Sequence, residues 1–406
     1  MRVLVLTNLY PPDVIGGYEL LARDVVASLG RGGHEVDVLT TGNGTDRDGV
    51  ARPLRLARPF GQAPARDRPR HLIAGLYNQL ETHRYLRTHP RPDAVLVMSL
   101  RRLGLMPLRA FQQEGIPYVL TVNDDWPVAY SVGSNPSARA LVGRWLDETL
   151  VLGRTWKGLT PASVVYVSEA VRRAVHDAGV PLPAGVVRSQ GVDLSVFSPR
   201  PFRPMRPEPR LLFVGRLHPS KAPEVALEAL AALERRGHAA TLTLAGEADD
   251  VSYLRSLHWR ARELRVEARV TWAGKVPREH LPALYRDADA LLFASRLEHE
   301  GQGLTYLEAM ACGVPVVAWP SGGAREFLQR HDAARLATTC TGEAFADELA
   351  ALLGDREEQE SLVARALGIV RAHASIDTYT RHLEDELHQA IARHATATLS
   401  VPEPLT

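Results

Sequence analysis

Two α/β domains, each built on a parallel sheet with helices on both faces, are predicted by three observations. Short continuous apolar runs alternate with helix-period segments along the whole chain, the pattern of strands buried on both faces. The pattern restarts near residue 210 after a proline-rich stretch. The chain has 406 residues, which suits two domains of about 200 residues better than one core.

The opening run Val3-Leu4-Val5-Leu6 reads as the first strand, and the loop Tyr10–Gly17 follows it. Leu21, Val25 and Leu29 then recur at helical spacing, with Gly32-Gly33 as the stop. Further strands are expected at 36–39, 94–98, 118–122 and 164–167. Residues 199–209, PRPFRPMRPEP, hold five prolines and read as an interdomain linker. The second half repeats the order, with strands near 210–216, 241–245, 269–272, 290–294 and 314–317. Leu254, Leu257, Ala261 and Leu264 mark a helix between them. The expected domains are therefore 1–199 and 200–375, followed by a helix over 376–391 and a frayed tail. Ligands of such sheets sit beyond the carboxyl ends of the strands.

Composition narrows the function. Lys plus Arg number 48 against 47 Asp plus Glu, a net charge of +1, which argues against a nucleic-acid coat. Cys312 and Cys340 form no metal-type spacing, so neither a disulfide framework nor a structural zinc is expected, as suits a reducing cytosol. The N-terminal apolar run reaches Pro11-Pro12 too soon for a signal peptide, and no run approaches the length of a membrane span. A cytoplasmic protein is expected. Residues 51–71 carry six Arg against one Asp, which reads either as a solvated loop or as an anion- or membrane-facing patch.

Four segments carry the candidate chemistry. In Arg296–Leu328, Glu300 precedes Gly-Gln-Gly and a helix that bears Glu308 near its start. Glycines such as Gly303 admit a ligand to the backbone, free N–H groups at a helix start near Leu304 or Thr305 suit anions and sugar oxygens, and two carboxylates accept several hydroxyl donors. In Val214–Lys221, Arg216 ends a buried strand and Lys221 follows as a helix begins. Two such cations can neutralise a diphosphate that gains charge as it leaves. The chain has only three lysines (Lys157, Lys221 and Lys275), so Lys221 stands out among arginines. Gly16 and Gly17 precede a helix but do not form a G-x-G-x-x-G fingerprint. Asn123 and Asp124 follow a buried strand, where a turn with a helix cap is the competing reading. Asp287 and Asp289 look like a metal pair but fall where a helix meets a strand, and the histidines show no paired-ligand spacing, so no metal is expected.

Several of these segments together resemble the family 4 glycosyltransferases of the GT-B fold over nearly the whole chain. The resemblance is carried by YPP…GG with GHEV at 33–36, VSEAVRR at 167–173, QGVDLSVFSP at 190–199, VGRLHPSK at 214–221, and EGQGLTYLEAMACGVPVVA at 300–318. It implies two Rossmann-like domains facing across a cleft, with helix 376–391 packing back on the first. It also implies a retaining transfer of a sugar from a nucleotide-diphosphate donor (UDP- or GDP-linked) without an essential metal or other cofactor.

By matching positions, Glu308 would hold the ribose and Glu300 the transferred sugar. Arg216 and Lys221 would bind the diphosphate, with Gly17 capping it, and Val276 within 275–278 would lie beside the base. Asn123 stands where relatives carry a His near the donor sugar, followed by Asp124. Lys221-Ala222 replaces the usual Lys-Gly, and Gln190 replaces an Asn. A silent scaffold that binds a sugar nucleotide or a partner, an epimerase and a phosphorylase are the competing readings. The acceptor is not legible, although the Arg-rich segment favours an anionic, lipid-linked or membrane-proximal one with peripheral membrane contact.

Overall fold

The computed structural model describes residues 1–42, 44, 49–57, 68–131, 155–296 and 301–399. It divides into two compact units, Met1–Arg188 with Tyr379–Thr406, and Ser189–Thr378.

The first unit runs β1 (Arg2–Thr7), α1 (Gly17–Arg31), β2 (Glu35–Thr41), β3 (Val50–Leu54), α2 (Arg68–Thr88), β4 (Ala94–Ser99), α3 (Met106–Gln113), β5 (Tyr118–Val122), β6 (Ser163–Tyr166), α4 (Glu169–Asp177) and β7 (Val186–Val187). Its strands lie in the order β3-β2-β1-β4-β5-β6-β7, and every pairing is parallel. Val3–Leu6, Val95–Val97 and Val119–Leu120 are almost wholly buried, which is why these strands read as unbroken apolar runs.

The second unit runs β8 (Arg210–Val214), α5 (Pro223–Arg235), β9 (Thr241–Ala245), α6 (Val251–Glu263), β10 (Val270–Gly274), α7 (Leu281–Asp287), β11 (Ala290–Phe293), α8 (Thr305–Ala311), β12 (Val316–Ala318), α9 (Gly322–His331), β13 (Arg335–Leu336), α10 (Gly342–Leu353) and α11 (Arg356–His373). Its parallel order is β10-β9-β8-β11-β12-β13. Alternate strand residues feed two cores. Leu211, Phe213 and Leu242 pack with α5 through Leu227 and Leu230. Leu212, Leu291 and Val316 pack with α8 through Leu307 and Met310. A last helix, α12 (Ile376–Leu399), spans the unit boundary at Tyr379, and within the first unit Glu386 accepts from the Ser163 hydroxyl.

In each sheet the chain order reverses once, between β1 and β4 and between β8 and β11. Loops leaving a sheet at such a point diverge and open a crevice at the strands' carboxyl ends.

Three expectations are corrected. The segment 51–71 is not one solvated loop. It begins in β3, where Pro53 is tolerated because the strand lies at the sheet edge, and it ends inside α2. The Arg52 side chain is only 5% exposed and donates to the carbonyls of Tyr10 (3.1 Å), Thr41 (3.2 Å) and Pro11, so it fastens the β1–α1 loop.

The proline-rich stretch after 199 is not a free linker. It lies within the second unit, where Arg203 and Arg206 both reach the wholly buried carboxylate of Asp289. The chain crosses between units at Arg188–Ser189 and Thr378–Tyr379 instead. The expected tail continues as helix to Leu399.

Candidate active site

The second unit gathers its candidate residues at the carboxyl ends of β8 to β11. Gly246, just after β9, lies so close to the Gly215 carbonyl that a Cβ would stand 1.8 Å from that oxygen. Only glycine permits this contact, and it draws the two loops together. The Leu217 amide then donates to the Glu247 carbonyl (2.8 Å), and the Gly246 amide to the Gly274 carbonyl (2.8 Å). The Arg216 guanidinium, half-exposed beyond β8, pairs with Asp249 at 2.9 Å. Lys221 ends a one-turn 3-10 segment, Pro219–Lys221, closed by its own amide donating to the His218 carbonyl at 2.8 Å. Ala222 follows in the left-handed region at φ 50°, a conformation glycine would adopt without strain.

That turn is stitched to the loop after β11. The Arg296 amide donates to the Ser220 carbonyl at 2.8 Å, and the Ser295 hydroxyl approaches the same oxygen. Chain order reverses at this point of the sheet, so the cation-bearing loop and the segment leading into α8 share one crevice. Glu300 lies outside the described residues. Gly301 and Gln302 beyond it are buried. Gly303 takes φ +84°, and a Cβ there would lie 3.0 Å from the Phe293 ring.

Glu308 is 6% exposed one turn into α8, and its Oε2 accepts from the Tyr285 hydroxyl at 2.7 Å. Tyr285, on α7, is wholly buried. Burial first, and then the Glu308 charge, push its hydroxyl far above the ordinary tyrosine range, so it stays a donor. Val276 is half-buried between β10 and a short 3-10 turn, and the Arg278 guanidinium sits 5.3 Å from the Phe197 ring centre.

Two contributors carried no signal of their own in the sequence. Tyr285 looks like an ordinary apolar position of a short helix, and only the fold brings it to Glu308. Gln302 is 2% exposed, and its Oε1 accepts from the Gln190 amide at 2.7 Å. Its Nε2 has no hydrogen-bond partner among the described residues. A buried amide left half satisfied beside Gly303 is an opening for a ligand oxygen.

In the first unit, Gly16 begins α1, but its amide is already taken by the Glu19 carboxylate at 2.9 Å. Glu19 is buried, and desolvation raises its carboxyl even though these amides pull the other way. Gly17 follows as the first helical residue, exposed at the surface. Asn123 is 4% exposed at the end of β5, and neither amide atom has a hydrogen-bond partner among the described residues. The buried Tyr379 hydroxyl faces it, and Tyr18 lies alongside with its hydroxyl donated to the Met98 carbonyl. Asp124 behaves differently. It accepts from the Trp126 amide at 2.8 Å and from Arg101 at 3.0 Å, which is the turn-capping role.

The apparent Asp287/Asp289 metal pair is occupied by arginines. Arg210 binds Asp287, while Arg203 and Arg206 bind Asp289. Among the described residues no three His, Cys, Asp or Glu side chains are grouped as metal ligands would be.

Comparisons with known proteins give the family of the chain. Residues 15–196 match the model described as Glycosyltransferase Family 4, and residues 200–367 match Glycosyl transferases group 1. The chain is 28% identical over 401 residues to the GDP-mannose-dependent alpha-(1-6)-phosphatidylinositol monomannoside mannosyltransferase of Mycobacterium tuberculosis, covering 95% of this chain and 98% of that one. It is also 28% identical to the D-inositol 3-phosphate glycosyltransferase of Kineococcus radiotolerans, covering 91% of each. Among solved structures, Anabaena HepE in complex with UDP and glucose superposes with TM-score 0.70 at 20% identity, over 96% of this chain and 99% of that one. A glycosyltransferase from Rickettsia africae gives 0.72 at 17%, over 96% and 98%. With both units matched in sequence and the fold matched in space, the chain belongs to the GT-B-fold glycosyltransferases, a family 4 domain followed by a group 1 domain.

Proposed function

We propose that this enzyme moves a sugar from a nucleotide-diphosphate donor to an acceptor hydroxyl, with retention at the anomeric carbon and without an essential metal. One observation carries the reading. A buried carboxylate, Glu308, is fixed by Tyr285 in the crevice of the second sheet, beside a loop that presents Arg216 and Lys221. The carboxylate suits a pair of ribose hydroxyls, and the two cations suit a diphosphate. In the step itself, the bond from the anomeric carbon to the diphosphate oxygen breaks and a bond to the acceptor oxygen forms on the same face. The acceptor proton passes to the leaving phosphate, so no protein base is required. Arg216 and Lys221 stabilise charge that grows on the leaving group. Glu300 and Asn123 are assigned to the transferred sugar, Gly17 and the Gly303–Thr305 backbone to the sugar and diphosphate, and Val276 to the base.

The relatives at full length guide the choice of substrates. One is named for GDP-mannose, and the two named acceptors both contain an inositol phosphate, lipid-borne or free. GDP-mannose and an inositol phosphate are therefore the first pair to test, with UDP-glucose as the competing donor.

The experiment is nucleotide release from GDP-, UDP- and ADP-sugars in EDTA, with inositol phosphates and phosphatidylinositol as acceptors. Release from one donor, stimulated by one acceptor, with an axial product linkage by NMR, is expected. No release from any donor, together with no thermal stabilisation by any nucleotide, would favour the silent-scaffold reading.

A further inference from the structure

The turn that carries Lys221 is held from both sides at a single residue, Ser220. On one side stands His218, which caps the Pro219–Lys221 segment from an extended backbone. Its Nδ1 lies 3.2 Å from the Ser220 amide nitrogen and 2.7 Å from the Ser220 hydroxyl. A backbone amide can only donate, so Nδ1 is the acceptor, the ring is neutral and its proton sits on Nε2. The ring makes no other hydrogen bond among the described residues, so its polar contacts serve this one turn. On the other side the Ser220 carbonyl accepts from the Arg296 amide at 2.8 Å, with the Ser295 hydroxyl 3.4 Å away. The Arg296 guanidinium is fixed in turn by Glu224 at 2.5 Å, and Glu224 accepts from the Tyr253 hydroxyl at 2.6 Å.

This holding answers a strain. Ala222, wholly buried directly after Lys221, takes φ 50° and ψ 51°. A residue with a Cβ keeps the left-handed conformation only where its surroundings over-determine it. The turn before it is a single 3-10 turn, too short to fix itself by its own two closing bonds, Lys221 amide to His218 carbonyl (2.8 Å) and Ala222 amide to Pro219 carbonyl (3.2 Å). The His218 ring supplies the missing constraint from the β8 side, as Arg296 does from the β11 side. Without the ring, the Ser220 amide loses its acceptor and the backbone that launches the Lys221 side chain is tied at one side only.

We propose that His218 is a positioning residue for the transfer: its neutral imidazole, accepting at Nδ1, fixes Ser220 and so sets where Lys221 presents its ammonium to the departing diphosphate. His218 acts through Lys221 and is assigned no contact with substrate. The inference rests on the transfer reading, since it gives the Lys221 turn its purpose.

The test is nucleotide release by the full chain from its active donor, with titration of the matching free nucleoside diphosphate and a melting curve for every variant. His218→Ala should lower turnover about tenfold while changing diphosphate affinity less than about threefold, because the lysine charge counts most as the leaving group forms. His218→Asn, whose side-chain oxygen is a good cap acceptor, should stay within about threefold of the parent. In a Lys221→Ala background His218→Ala should cost less than about twofold, since a residue that acts through the lysine then has nothing to position. If the Ala variant melts early, His218→Gln, a poor cap, replaces it with the same expected loss. Full turnover by the Ala variant would overturn the proposal. Equal losses in the Asn and Ala variants would give the ring a direct contact instead, and an undiminished loss without Lys221 would make the cap a general support of the unit; either result overturns it. A parent chain inactive on every donor would sink the transfer reading and this inference together, whereas an active parent with an unaffected Ala variant would sink this inference alone.

Discussion

The Tyr285 hydroxyl donates a 2.7 Å hydrogen bond to Oε2 of Glu308, and the two side chains come from successive helices with one strand, β11, between them. The bond leaves one carboxylate oxygen committed and fixes where the other points. Tyr285→Phe should therefore raise the donor KM about tenfold with turnover changed much less, because a hydrogen bond to a charged group is worth roughly 1.5–3 kcal/mol. Steady-state kinetics with varied donor check this, and an unchanged KM would remove Tyr285 from any role in orienting Glu308.

Gly303→Ala tests whether the approach to α8 depends on that backbone conformation. The residue sits at φ +84°, and the added methyl would press on the Phe293 ring. A destabilisation of about 2 kcal/mol is expected, with a loss of turnover larger than the loss of stability alone explains. Urea denaturation and donor turnover on the same preparation separate the two effects.

Lys221→Ala should lower turnover by about a hundredfold while changing nucleotide affinity less than tenfold, since the charge it meets develops on the leaving group. Isothermal titration with the free nucleoside diphosphate provides the affinity. Equal losses in affinity and turnover would make Lys221 a ground-state contact only.

The architecture was legible in the sequence because strands buried on both faces leave nearly unbroken apolar runs, as at Val3–Leu6, Tyr118–Val122 and Ala290–Phe293. Short edge strands were not. Val50–Leu54 is half-buried and contains a proline, and Val186–Val187 and Arg335–Leu336 are too brief to carry a period. Gly303 and Glu308 stood out because glycines followed by a charge at a helix start are locally unusual. Tyr285 was hidden because its importance lies in a contact 23 residues away along the chain. The same is true of Arg203 and Arg206, which read as linker residues until Asp289 is seen between them. Asp124 carries both readings at once: it follows a buried strand, and its carboxylate caps the next turn at the Trp126 amide.

That clasp makes a stability prediction. Asp289 is wholly buried and meets Arg203, Arg206 and the Arg210 amide. Its neighbour Arg200 is held at about 10 by burial first and the adjacent cations next, so the cluster depends on its carboxylates. Asp289→Ala should destabilise the second unit by about 3 kcal/mol, since it removes one side of a buried ion pair and leaves the arginines uncompensated. A urea midpoint equal to that of the parent chain would show that the arginines rehydrate freely.

The last prediction concerns pH. His331, at the end of α9, stacks on His373 at 5.0 Å between ring centres and touches the Phe327 ring at 4.8 Å. Burial, then His373, then Arg330 hold its imidazole below the ordinary histidine range. A histidine depressed in this way binds its proton less readily folded than unfolded. Its contribution is therefore complete above the unfolded value and is lost as pH falls through that value toward the folded one. The melting temperature should drop as pH falls below the ordinary histidine range, and His331→Gln should remove part of that drop while leaving the neutral-pH value nearly in place. His373→Gln should flatten the profile less, because it relieves the charge repulsion but not the burial. If both variants followed the parent profile point for point, the acid sensitivity would belong to other groups, and His382, depressed by burial and Arg188 in the first unit, would be the next to replace.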